Sequence, residues 1–195
     1  MPSRETRRVS DLATLKVFGH PLRMRLYRAL FIARRATASQ LAAQVDEAVS
    51  LVSYHLRQLA DHGMIEPAEG GSTDGRERWW QPASQGFSFR DEDFNDAPEK
   101  SATYAAVGRL SFDQHTELYR SFLDAYQSWS AEWRGAAFRS EYLARLTPEE
   151  LAELGREMHE LVRRYETAGR EREETGESED RENVALHLYG FPFRT

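Results

Sequence analysis

The stretch SLVSYHLRQLADHGMI, residues 50–65, decides how the chain is read. Placed on a helix over about 48–62, at about 100° per residue, Val49, Val52, Leu56 and Leu59 share one face. Burying each leucine is worth roughly 1.5–3 kcal/mol, so that face belongs against a core. Ser50, Ser53, Tyr54 and Arg57 cluster on nearly the opposite face, and Leu51, His55, Gln58 and His62 form a flank between them. A helix that only packs carries charge on its outside. This one carries hydroxyls, an imidazole and a guanidinium, groups suited to reading a surface. Gly63 is a good stop signal.

Working outward, TASQ (37–40) has the spacing of a capping box, worth about 1 kcal/mol, and opens a short helix, SQLAAQV. DEA (46–48) is a tight connection. Pro21 suits the first turn of an earlier helix that runs to about Ala36, with Leu22, Leu26, Leu30 and Ala33 on one face. A shorter helix is predicted over roughly 9–18, from Val9, Leu12, Leu15 and Phe18. Residues 1–8 are expected to be disordered. A short helix, a tight turn and a second helix with a Ser/Tyr/Arg outer face make a helix-turn-helix, whose second helix can enter the DNA major groove. There a serine hydroxyl serves phosphate or base, and an arginine can bind guanine O6 and N7. MIEPAE (64–69) and RERWWQP (76–82), joined by GGSTDG, read as a hairpin that would form a wing. Arg76 and Arg78 flank its tip, within reach of a phosphate or the minor groove. Trp79 and Trp80 are adjacent and face opposite sides of the strand, one for the core, the other for the linker or a partner subunit.

VFGHPLRMRLYRAL (17–30), TASQLAAQV (37–45) and LVSYHLRQLADHGMIE (51–66) resemble the successive helices of the ArsR-type winged-helix transcriptional regulators, over residues 9–83. The resemblance implies a homodimeric winged helix that represses promoters and is released by an effector. It makes Ser50, Ser53, Tyr54 and Arg57 the groove readers, with Gln58 beside them. It puts His55 at the family's characteristic histidine, which supports the helix–DNA contact. The family's metal sensors carry a cysteine pair near the recognition helix; this chain has no cysteine. Residues 84–195 are also much longer than the single terminal helix of the smallest members. The inducer's chemistry is therefore not inherited from the family.

Bulk composition agrees with two parts. Residues 1–83 hold 12 Arg and Lys against 9 Asp and Glu, while residues 84–195 hold 14 against 23. A mildly basic module joined to an acidic body fits a polyanion-binding part on a part that is not one. Without cysteine there is no disulfide framework. No signal peptide or apolar run of spanning length is seen, so the cytoplasm is the expected compartment and no membrane partner is expected.

Residues 84–100 look partly ordered, and the chain divides into a winged-helix domain over 1–90, a linker over 91–100 and a second region over 101–195. A long helix is predicted over roughly 101–134. On it Phe112, Tyr119, Phe122, Tyr126, Trp129 and Trp133 recur at spacings of 7, 3, 4, 3 and 4, a continuous seam. That seam is either a dimer core or an aromatic pocket for an apolar or cationic small-molecule effector. AFRSEYLARL (137–146) reads as a strand, TPEE opens a helix over 147–167, REREETGESEDREN (170–183) reads as a solvated loop, and VALHLYGFPF (184–193) reads as a partner strand. The expected fold class is thus α+β, mainly helical: an N-terminal winged helix-turn-helix followed by an α+β C-terminal region for dimerisation and candidate sensing.

No catalytic constellation stands out: no Gly-rich phosphate loop, GxSxG or HExxH. Nor is a cofactor or metal expected. His55 and His62 share a face but lie about 10 Å apart along the axis, too far for one ion. The sequence reads as a sequence-specific DNA-binding regulator that pairs with itself and with operator DNA. The alternative is a winged helix used for protein–protein contact without specific DNA binding.

Overall fold

Three side chains start the first three helices. Asp11 accepts a hydrogen bond from the Thr14 amide (2.7 Å) and begins α1 (Leu12–Phe18). His20 Nδ1 accepts from the Leu22 amide (3.2 Å), and Pro21 then opens α2 (Pro21–Ala33). Thr37 and Gln40 close a full capping box (3.3 and 2.9 Å) at α3 (Ala38–Val45), as its spacing predicts. The helix of the opening stretch, α4 (Val49–Asp61), follows Ala48 and has no side-chain cap. Gly63 lies beyond its end with φ +65°, a left-handed conformation that glycine adopts without strain.

A computed structural model describes residues 7–68, 78–84, 86–176 and 181–194. The chain divides into two units, Met1–Glu117 and Leu118–Thr195. The core of the first is built where α2, α3 and α4 meet. Leu26 and Leu30, Leu41, and Val52, Leu56 and Leu59 are all buried there. Val49 departs from the expected apolar face and is 47% exposed. It occupies the first turn of α4, before the helix reaches the core.

Among the described residues, five short strands complete this unit: β1 (Arg7–Val9), β2 (Ala36–Thr37), β3 (Ile65–Pro67), β4 (Trp79–Pro82) and β5 (Phe87–Phe89). The expected hairpin is present, with β3 antiparallel to β4 and Glu66 opposite Gln81. β2 adds to the other side of β4, giving the order β2-β4-β3. Trp80 is the core tryptophan, and the Arg35 guanidinium lies 4.9 Å from the centre of the Trp79 ring.

Residues 7 and 8 correct the expectation of a disordered end: β1 pairs in parallel with β5, and Val9 is buried. Residues 86–100, expected to be only partly ordered, are also built in. Phe18 meets Phe87 and Phe89 edge-on (5.4 and 5.0 Å), a favourable aromatic geometry. Phe94 is fully buried and stacks on Tyr104 (5.5 Å). One aromatic every few residues is a weak periodic signal, so only packing reveals that this polar segment belongs to the core.

The long helix expected over 101–134 is two. α5 (Pro98–Asp124) ends before a 3-10 turn at Tyr126–Ser128, and Ser130 caps α6 (Ala131–Ala136) by accepting from the Trp133 amide. Residues 125–130 alternate small, polar and aromatic types, and the Ser130 cap competes with a continuous helix. In the second unit Thr147 and Glu150 close the expected capping box of α7 (Pro148–Glu174). α7 runs past 167 into the stretch read as a solvated loop. Arg and Glu are good helix formers there, with opposite charges four residues apart. The strands expected over 137–146 and 184–193 do not form: neither segment has a ladder partner. Period-two patterning gives a segment two faces; it does not supply a neighbour. Among the described residues, every strand lies before residue 90.

Burial predicts the energetic order within the first unit. Leu56→Ala should lower its stability by about 2–5 kcal/mol in denaturant unfolding, and Val49→Ala by less than about 1 kcal/mol. Equal losses would contradict the orientation of α4.

Candidate nucleic-acid interface

The burial of Val52, Leu56 and Leu59 fixes the rotation of α4 and therefore what it presents. Ser50 and Arg57 are exposed, Tyr54 is 52% exposed, and Ser53 and Gln58 are half-buried beside them. Leu51 is exposed on the same helix. These side chains share one outward surface, as their spacing predicts. Arg78, at the foot of the hairpin, is exposed and lies 5.3 Å from the Trp80 ring centre. Arg76 lies outside the described residues.

His55 is the exception among the sequence-named readers. It is only 4% exposed, beneath the surface rather than on it. Its ring lies 4.4 Å from that of His20, tilted by 45°, and meets Tyr54 edge-on at 5.1 Å. Its Nδ1 is buried with no hydrogen-bond partner among the described residues. His55 thus stands between the α2 cap and the exposed Tyr54. Both imidazoles are pushed below the ordinary histidine range. Burial is the main cause for each. Arg23 adds to it for His20; His20 and Arg23 add to it for His55, with Glu47 opposing.

Sequence reasoning missed a set of arginines that hold helix ends. Arg23 donates to the carbonyls of Val17 (2.6 Å) and Lys16 (3.1 Å), at the end of α1. Arg25 donates to the Val45 carbonyl (2.7 Å), at the end of α3. Arg7 donates to the carbonyls of His62 (3.2 Å) and Gly63 (2.8 Å), just past the end of α4. A cation at a helix C-terminus meets both the orphan carbonyls and the negative end of the helix dipole. Arg8 pairs with Asp93 and Glu92, and Lys16 with Glu99. Arg8 and Lys16 are therefore paired with acids, while Arg7, Arg23 and Arg25 keep their charge at helix ends. No cluster of metal-ligating side chains occurs among the described residues.

In the second unit, part of the aromatic seam comes together. Phe122 stacks with Tyr119 (6.2 Å) and meets Tyr126 (5.8 Å) and Trp129 (6.4 Å). Arg134 lies 5.9 Å from the Tyr126 ring centre and donates to the Trp129 carbonyl. The break after Asp124 ends the continuous seam that one helix would have carried to Trp133. Phe112 belongs to the first unit and is exposed.

Residues 18–68 match the family of helix-turn-helix domains. The match covers α2 through β3, with α3 and α4 as the helix pair. It makes DNA the partner this unit is built for, and transcriptional regulation its setting. No curated protein matches the chain. Among solved structures it is similar to disulfide-formed AbfR, at 14% identity, over 59% of this chain and 75% of that one, with a TM-score of 0.32. A likeness that weak carries no argument. No helix among the described residues is long and apolar enough to cross a membrane.

The His20–His55 pair sets a pH dependence. A histidine whose folded pKa lies below its ordinary value of 6.5 gives stability that is complete above 6.5 and is lost as pH falls through that value. Unfolding free energy of this unit should therefore drop between pH 7 and pH 5. His55→Gln should flatten that slope even where it lowers stability overall. An unchanged slope in the variant would remove the pair as its source.

Proposed function

We propose that the chain is an ArsR-type winged-helix repressor that binds operator DNA as a homodimer, with α4 in the major groove. The observation that carries this is the orientation of α4: Val52, Leu56 and Leu59 are committed to the core, so Ser50, Ser53, Tyr54, Arg57 and Gln58 are the polar groups it offers outward. Ser50 and Ser53 suit phosphate or base edges, Tyr54 stacks or donates, and Arg57 suits guanine. Ala48 provides no side-chain cap, so the first-turn amides of α4 remain suited to a phosphate. Arg78 and Arg76 of the hairpin are the flanking contacts. His55 acts from beneath, holding Tyr54 and α4 against the capped end of α2. Two copies would place two α4 helices about one DNA turn apart. The aromatic group around Phe122 is the candidate surface for dimer contact or a small-molecule effector.

Fluorescence anisotropy on DNA from the chain's own upstream region, beside scrambled DNA and across a salt series, tests the reading. The expected result is preference for the native DNA and log K falling linearly with log salt. Arg57→Ala should cost about 1–3 kcal/mol and relax preference at one base position. Equal loss on every sequence would make Arg57 a phosphate contact. Equal, weak binding of wild-type protein to both DNAs would count against this upstream region as the operator.

A further inference from the structure

The second unit has the sequence of a folded body but no interior of its own. Among its described residues none is buried. Phe138, Tyr142 and Leu143 before α7, Tyr165 on it, and Val184 and Phe191 after it are between 65% and 87% exposed. The four aromatic residues among them each bury about 150–250 Å² when fully covered, so these six leave several hundred Å² open, spread over three segments.

α7 shows what shape the missing partner has. Leu151, Leu154, Met158, Leu161, Tyr165 and Ala168 recur at spacings of 3, 4, 3, 4 and 3. That is a coiled-coil repeat, narrower than the stripe of a helix lying on a sheet. Leu154, Met158 and Leu161, at its middle, stand 40–46% exposed within their own chain. A Cβ at Gly190 would sit 3.1 Å from Leu151 Cδ1 and one at Gly169 3.7 Å from Arg181 Nη1, so the terminal segment runs beside α7 along its length and leaves the face of Leu154, Met158 and Leu161 half-exposed. The middle of one flank is self-complementary, while Glu150 and Glu171, one heptad further out on that flank, are like charges. Glu157 and Arg164 are exposed, seven residues apart on one side of the seam, with Met158 and Leu161 between their levels. Antiparallel pairing about a two-fold axis between Met158 and Leu161 sets each Met158 against a Leu161. It also sets each Glu157 beside an Arg164, twice by symmetry.

We infer that α7 pairs antiparallel with α7 of a second copy of this chain, through the seam centred on Met158 and Leu161. This deepens the homodimer reading above by naming its interface. It does not depend on DNA binding, because association is measured with DNA absent.

Sedimentation equilibrium of the full chain without DNA is the test. Wild-type protein should be a dimer at micromolar concentration. Leu161→Arg should weaken association by more than about a hundredfold, since each dimer loses two buried leucines. The far-UV signal should hold, because Leu161 contributes to no core within its own chain. Glu157→Arg should weaken association by about tenfold, and Glu157→Arg with Arg164→Glu should restore it. A general folding defect would not be repaired in that way. A monomeric wild-type chain, a dimer indifferent to Leu161→Arg, or a double variant no better than the single one would each overturn the proposal. Loss of operator binding with the dimer intact would count against the DNA reading alone.

Discussion

Burial of three side chains of α4, Val52, Leu56 and Leu59, is the constraint on which the DNA-binding unit depends. A helix rolled by one residue turns about 100°. Such a roll would put Ser53 and Arg57 into an apolar interior, where an unpaired charge is far too costly to hold. One seam therefore fixes both the packing and the presented face. The helix ends are secured separately. Arg7, Arg23 and Arg25 reach the carbonyls where α4, α1 and α3 stop, so three helices are clamped by cations from other elements. His20 joins the cap of α2 to α4, since the ring that starts α2 also lies against His55.

That clamping changes what the charge balance means. A mildly basic half of a chain suggests a surface for a polyanion. Here five of its cations, Arg7, Arg8, Lys16, Arg23 and Arg25, are bonded to backbone carbonyls or to acids. Arg57 and Arg78 stand exposed; in the reading proposed above, they carry the direct contacts to DNA.

The second unit follows the opposite logic. Its helices are well specified locally: Ser130 and Thr147 cap them, and α7 is rich in good helix formers. Its apolar residues lie where local rules put them and still find no interior. Local propensity and amphipathic pattern are properties of one chain; burial of the pattern requires a complementary face.

The sequence by itself determined the helix-turn-helix: the seam of α4, the Thr37 capping box, the stop at Gly63 and the hairpin were all legible. Each is set by near-neighbour spacing or by a cap. Of the candidate site, the outward set Ser50, Ser53, Tyr54 and Arg57 was legible for the same reason, because a buried seam dictates its opposite face. Tertiary structure alone decided the rest. It buried His55 against His20, thirty-five residues earlier, and drew Arg7, Arg23 and Arg25 to helix ends. It also packed Phe94 into the core of a segment that looks like linker, and left 137–146 and 184–193 without ladder partners. These are contacts between residues distant in sequence, or between a segment and a neighbour it lacks, and no periodicity within one element encodes them.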